Sequence, residues 1–344
     1  MHDTLELMTH SNLHQELIDI VFDQLSFYDQ LQFKSTCKIY YNRCRIMHGP
    51  EDENIYSGFT NDILQLFPYL TTLDISNNIN VTTINHLTSL KSLRARSSCG
   101  IGNIGISKLN NLSLLDAQNN PNISQLNGLT NLEVLVASDF CGINNDEILK
   151  LTKLWMLDVS SNNKVTNVNH LFKLKRLYMV YNNKINEIFQ LTNLTELYMC
   201  GNQHITNVDG LVNLIYLDAA HTNIKDVGYL TNLTYLDITA NRYIRDINKL
   251  VKLKFLGCGA ISMLENKGIS KLNELTELYM QGNHMITDIN HMTNLVSLYA
   301  KACVIKDHGI SKLTNLTELD IDDRTFLTRT KYTHIIKYSN DRIV

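Results

Sequence analysis

"LTNLTELYMCGNQHITNVDG" at residues 191–210 is followed without a break by "LVNLIYLDAAHTNIKDVGY" (211–229) and "LTNLTYLDITANRYIRDINK" (230–249). The three phrases align leucine on leucine, and such self-similarity at a fixed short period is the mark of a stacked-repeat chain. The fourth residue of each phrase, Leu194, Leu214 and Leu233, belongs to a series that runs from Leu70 to Leu316 in thirteen copies, with steps of 19 to 22 residues. Taking that anchor as position 1, leucine recurs at position 4 from Leu73 to Leu319, and a small or medium apolar residue such as Ile75, Val159, Met199 or Ile238 fills position 6. Position 9 is Asn in seven copies: Asn78, Asn120, Asn162, Asn182, Asn202, Asn241 and Asn283.

Positions 4 and 6 have the two-residue period of a strand with one face inward, which leaves positions 3, 5 and 7 outward. One such strand cannot bury its own leucines, so successive copies stack into a parallel sheet over a continuous core. The position-9 amide suits the turn after the strand, where backbone polar groups would otherwise be unpaired. The pattern resembles the leucine-rich repeat, LxxLxLxxN, over roughly residues 63–325. That resemblance implies an α/β fold, a leucine-rich-repeat solenoid with about 13 stacked parallel strands. Twenty-residue copies leave no room for a full return helix. The 22-residue copies, two of which contain "GISKL" (105–109 and 268–272), have room for one helical turn.

The first 60 residues ignore this pattern. Leu13, Leu17, Ile20, Val21 and Leu25 share one helical face, and Asp29 opens a second helical stretch carrying Leu31, Phe33, Cys37, Tyr40 and Tyr41. The segment resembles an F-box through Leu13, Glu16, Leu17, Ile20, Leu25, Asp29, Leu31, Cys37, Lys38 and Tyr40, with His14 in place of the usual proline and Gln30 between Asp29 and Leu31. The domain plan is then a flexible amino terminus (1–12), a small all-α F-box-like segment (13–45), a polar linker (46–62), the solenoid (63–325) and a carboxy-terminal cap or tail (326–344). Phe326, Leu327, Ile335 and Ile336 are placed as the apolar closure of the last coil. The resemblance implies a non-catalytic substrate receptor of a cullin–RING ubiquitin ligase. Leu13, Glu16, Leu17, Ile20, Leu25, Leu31 and Cys37 would dock a Skp-type adaptor, and the concave repeat face would take a protein substrate. In the alternative, the helices only cap a plain leucine-rich-repeat scaffold.

Outward positions 3 and 5 are the natural readers of that substrate. The first five copies carry no aromatic there: Thr72/Asp74, Ser92/Arg94, Leu114/Asp116, Val134/Val136 and Met156/Asp158. Each of the next seven carries one: Tyr178, Tyr198, Tyr216, Tyr235, Phe255, Tyr279 and Tyr299. Aromatics give large contact area at low entropy cost, so the stripe is the expected binding face. Asp218 and Asp237 fall on neighbouring rungs within it, where like charges repel and a basic group of the partner would relieve them.

The bulk properties fit this reading. In 344 residues, 44% are hydrophobic and the formal net charge is −3, so no basic surplus points to nucleic acid. No apolar run is long enough for a membrane-spanning helix, and "MHDTLELMTH" lacks the basic and apolar parts of a secretory signal. Seven scattered cysteines without a CxxC argue against a disulfide framework. The expected setting is intracellular, or the host cytoplasm for a virally encoded protein. "GIGNIG" (100–105) matches a dinucleotide-binding fingerprint but is followed by no long helix, and His86, His170 and His291 share one repeat position rather than a metal-ligand spacing. Neither a cofactor nor a catalytic residue is expected.

Overall fold

The computed structural model describes residues 59–126, 128–322 and 324–328. The F-box-like residues 13–45 lie outside them, as do Ile335 and Ile336. Contacts divide the chain between Ile143 and Asn144 into two units. In the first, a helical turn at Asn61–Leu64 precedes β1 (Thr72–Asp74), β2 (Ser92–Arg94), β3 (Leu114–Asp116) and β4 (Val134–Val136), paired in parallel with Leu73, Leu93, Leu115 and Leu135 in register. The second unit holds β5 (Met156–Asp158), β6 (Arg176–Tyr178), β7 (Glu196–Tyr198), β8 (Tyr216–Asp218), β9 (Tyr235–Asp237), β10 (Phe255–Gly257), β11 (Glu277–Tyr279), β12 (Ser297–Tyr299) and β13 (Glu318–Asp320). These nine strands are also parallel and in register, each to the next.

Each of the thirteen strands is three residues long and covers positions 3 to 5 of its copy, so the position-4 leucine is its centre. The inward set is fully packed; Leu174, Leu177 and Met179 of one copy are all 0% exposed. Outward residues flank that leucine at intermediate exposure in most strands. Burial of this regular apolar stripe is the main driving force for coil-on-coil stacking.

The position-9 asparagines are buried and saturated. Asn182 donates from Nδ2 to the carbonyls of Val159 (3.0 Å), Asn162 (2.9 Å) and Val165 (3.3 Å), and its Oδ1 accepts from the N–H of Lys184 (3.0 Å) and Ile185 (3.1 Å). Asn78, Asn120, Asn202, Asn241 and Asn283 repeat the scheme toward the coil before each of them. The residue just before, at position 8, is left-handed in all twelve copies from Asn77 to Ala302, and only Gly201 and Gly282 among them are glycines. A left-handed φ costs an ordinary residue about 1 kcal/mol, and it is held by bonds between coils, such as those from the N–H of Ser97 to Gln118 O, Tyr181 to Cys200 O and His221 to Thr239 O, joined in seven copies by the buried asparagine that follows.

Return paths follow repeat length. The three 22-residue copies contain the helical turns Asn103–Ile106, Asn145–Ile148 and Asn266–Ile269, and the 21-residue copy contains a 3₁₀ turn at Asp307–Gly309. Gly105 and Gly268 stand where these turns press on the preceding coil, and a methyl group at either would collide with the carbonyl oxygen of Thr82 or Arg245. Gly100 of "GIGNIG" faces the Ile79 carbonyl in the same way, so the motif's glycines serve close packing between coils. His86, His170 and His291 each place Nε2 at the carbonyl ending a helical turn one coil earlier, that of Leu64 (3.0 Å), Ile148 (3.3 Å) and Ile269 (2.9 Å). Their shared repeat position reflects that capping bond.

The carboxy-terminal closure differs from expectation in one residue. Leu327 is buried, but Phe326 is 62% exposed with the Lys306 ammonium 6.0 Å from its ring centroid. Thr325 Oγ1 binds back to Ala300 O (2.9 Å) and Asp322 Oδ1 (3.1 Å), which turns the chain so that the next side chain points out. Burial raises the Asp322 carboxyl, but hydrogen bonds from the Ala302 N–H, Arg324 and Thr325 outweigh it and hold the group at about 2.

Candidate functional site

Seven rings form one unbroken ladder on the outward face of β6–β12. Neighbouring centroids from Tyr178 through Tyr198, Tyr216, Tyr235, Phe255 and Tyr279 to Tyr299 lie 4.2, 4.5, 3.9, 4.0, 5.0 and 3.9 Å apart. Strands of a sheet are about 4.8 Å apart, so the stacked rings stand closer than the backbones that carry them and the side chains lean together. The ladder starts at position 5, crosses to position 3 for Tyr216, Tyr235 and Phe255, and returns to position 5. Both crossings are marked in the geometry: Tyr198–Tyr216 is tilted by 31° and Phe255–Tyr279 by 38°, whereas the other four contacts are stacked within 15°. A diagonal partner on the next strand is within reach of an aromatic side chain, which is why the stripe survives its change of column.

The hydroxyls pair along the ladder, Tyr178 with Tyr198, Tyr216 with Tyr235 and Tyr279 with Tyr299. Tyr198 also reaches Glu196 Oε2 at 3.3 Å. Burial, then the neighbouring phenols, push Tyr198 and Tyr216 above the ordinary tyrosine range; for Tyr299 the bond to Tyr279 is the larger cause. Tyr198, Tyr216 and Tyr299 are therefore neutral rings at physiological pH. Offset stacks of this kind contribute about 0.5–1.5 kcal/mol per pair beyond burial. The ladder thus forms a rigid surface whose side chains lose little further freedom when something lies on it.

Asp218 and Asp237 are register partners on β8 and β9, beside the Tyr216–Tyr235 stack. Each turns Oδ1 to a backbone N–H two residues on, Ala220 at 3.1 Å and Thr239 at 2.8 Å. Burial, with the Asp237 charge adding to it, raises the Asp218 carboxyl above its usual range. Cys200, one coil away, is pushed up to about 11 by burial and by the same two carboxylates. The buried thiols of Cys99 and Cys303 are likewise held at about 11, so none of these sulfurs is an activated nucleophile at neutral pH. Trp155 and Tyr181 do not join the ladder; Tyr181, at a left-handed position, covers Gly201 instead.

All nine predicted concave-face residues are thus gathered on one face of the second unit, while the seven predicted adaptor-binding residues lie outside the described region. Residue types alone did not reveal Gly257, which completes the position-5 column between Asp237 and Tyr279. Its signal was the missing side chain at an outward strand position.

Residues 212–252 match the family model described as leucine-rich repeats (2 copies). No curated protein matches the chain in sequence. Among solved structures, an internalin (inlF) of Listeria monocytogenes is similar at a TM-score of 0.63 and 23% identity, over 84% of this chain and 96% of that one. The functional domain of InlJ from the same organism gives 0.50 and 20%, over 78% of this chain and 66% of its own. A leucine-rich-repeat protein of Leptospira interrogans gives 0.50 and 20%, over 81% and 99%. None of the described helices is long and apolar enough to cross a membrane. The chain carries leucine-rich repeats and has the leucine-rich-repeat fold.

Proposed function

We propose that this protein is a non-catalytic binding receptor that takes a protein partner on the outward face of β6–β12. The carrying observation is the seven-ring ladder: a continuous, half-buried aromatic surface, pre-ordered by its own stacking, on a face the repeat does not need for its core. Clustered aromatics of this kind dominate the energetics of protein interfaces. The test is a displayed peptide library selected on purified protein. Selected binders that fail on a folded Tyr198→Ala/Tyr216→Ala/Tyr235→Ala variant support the reading, and binders indifferent to it remove the ladder from recognition.

A more specific form of the proposal makes the protein the substrate-recognition subunit of a cullin–RING ubiquitin ligase, working inside the cell. Its support is the ordered run of F-box-like matches from Leu13 to Tyr40. The protein would contribute proximity, holding the substrate near a ubiquitin-charged enzyme that supplies the chemistry. Full-length protein should then bind a Skp-type adaptor with micromolar or tighter affinity, and a Leu17→Asp/Leu31→Asp variant should not. Absence of adaptor binding by the wild type leaves the plain receptor.

A further inference from the structure

The ladder's detour leaves a gap. In the position-5 column, Tyr198 is followed by Asp218, Asp237 and Gly257 before Tyr279 resumes the aromatics. The result is a notch three rungs long, bounded at its ends by two tyrosine rings and along one side by the Tyr216–Tyr235–Phe255 stack, with contacts of 3.9 and 4.0 Å. Gly257 makes room in the notch for the Asp237 carboxylate. A Cβ there would fall 2.5 Å from Asp237 Oδ1, so the carboxylate reaches over the rung that has no side chain of its own.

The charges around this notch are one-sided. The nine strands β5–β13 carry seven acids (Asp158, Glu196, Asp218, Asp237, Glu277, Glu318 and Asp320) against one base, Arg176. That base is already engaged, its guanidinium 2.5 Å from Glu196. Elsewhere a neighbouring coil provides the counter-charge for an outward aspartate: Arg96 Nε lies 2.7 Å from Asp116 and Lys301 Nζ 3.3 Å from Asp320. Among the described residues no lysine or arginine pairs with Asp218 or Asp237, and the opposing group felt by Asp218 is the exposed His221. Two carboxylates on adjacent rungs with no lysine or arginine between them are destabilising on their own.

We infer that the partner segment lying on the ladder is basic and sets an arginine side chain into this notch, guanidinium toward Asp218 and Asp237 and its plane along the tyrosine wall. The inference rests on the ladder being the binding face. Arginine fits better than lysine because its planar fork can serve two carboxylates at once while stacking on a ring. The same complementarity would exclude acidic segments from the face.

The experiment is the peptide selection on full-length protein, repeated on a folded Asp218→Asn/Asp237→Asn variant and on the triple ladder variant. The expected result is enrichment of arginine at one fixed position with the wild type, binding about tenfold weaker to the Asn pair, and a steeper salt dependence for the wild type than for the pair. Replacing that arginine by citrulline, which keeps the shape without the charge, should cost a similar factor on the wild type and little on the pair. Ladder-dependent peptides without a basic residue, or equal binding to both proteins, would overturn the arginine while leaving the ladder reading intact. Peptides that ignore the triple ladder variant would remove both.

Discussion

Strands β1–β4 and strands β6–β12 have the same interior and different exteriors. In both, leucine centres the strand, position 8 is left-handed, and a buried asparagine at position 9 binds the coil before it, as Asn120 does in the first unit and Asn182 in the second. Outside, the first unit shows Thr72, Asp74, Ser92, Arg94, Leu114, Asp116, Val134 and Val136, and the second shows seven rings in contact. The inward residues answer to burial and hydrogen bonding, so they cannot drift. The coil does use some outward residues, the position-5 aspartates that accept from the N–H two residues on, but no such backbone bond calls for seven rings in a row, which is why the ladder carries the proposed binding role.

If that division is right, breaking an inward position should hurt both units alike. Asn120→Ala and Asn182→Ala each leave buried backbone groups without a partner, and each should destabilise its coil by about 3 kcal/mol in denaturant unfolding or hydrogen exchange. A much smaller loss for either would mean that the position-9 amide is dispensable in that unit.

Outward positions should separate the units. Tyr216→Ala/Tyr235→Ala removes three ring contacts and should lower stability by about 1–3 kcal/mol, whereas Ser92→Ala/Val134→Ala in the first unit should cost under about 1 kcal/mol. Equal losses would make the ladder ordinary sheet surface.

Asp218 sharpens the contrast through pH. Its folded carboxyl titrates above its unfolded value, so the folded state prefers the protonated form. Its contribution to stability is therefore full below the unfolded carboxylate value, about 3.9, and is lost as pH rises through the raised folded value. Asp218→Asn should be more stable than wild type at pH 7, by less than about 1 kcal/mol, with the difference shrinking on acidification below pH 4. A variant less stable at pH 7 would show that the carboxylate is structural.

The smallest effect belongs to the shared turn. Ala260→Gly relieves a left-handed alanine at φ 55° and should gain about 0.5 kcal/mol after the added flexibility of the unfolded chain is counted. No gain would mean that the turn tolerates a Cβ without strain.

Much of this was legible in the sequence, for physical reasons. A period near 20 with leucine at positions 1 and 4 placed every strand, because burial of those leucines is the force that makes the coil. The stripe of aromatics could be counted, since each copy has one outward site to the left and right of its central leucine. Contact across the two changes of column could not, because it depends on where diagonal side chains lean. The left-handed turn was invisible: its residues include Asn, Ser, Asp, Tyr, His, Ala and Gly, so no residue type announces it. Gly105 and Gly268 were read only as part of a recurring phrase, since the atoms that forbid a side chain there, at Thr82 and Arg245, lie one coil back. Phe326 was misplaced because an exposed turn held by Thr325, not hydrophobicity, sets its direction.

The asparagine bonds also give the repeat array a polarity. Asn202 reaches back to Asn182 O, Asn182 reaches back to Asn162 O, and Asn78, in the first copy, reaches back to Phe59 O. Each of these asparagines is satisfied by the coil before it and not by the coil after it. Whole coils can thus be removed from the carboxy-terminal side without stranding a single one of these donors, while loss of the segment that carries Phe59 strands Asn78 at once. Phe59, although it precedes the first anchor leucine, stands in for the coil that Asn78 would otherwise lack.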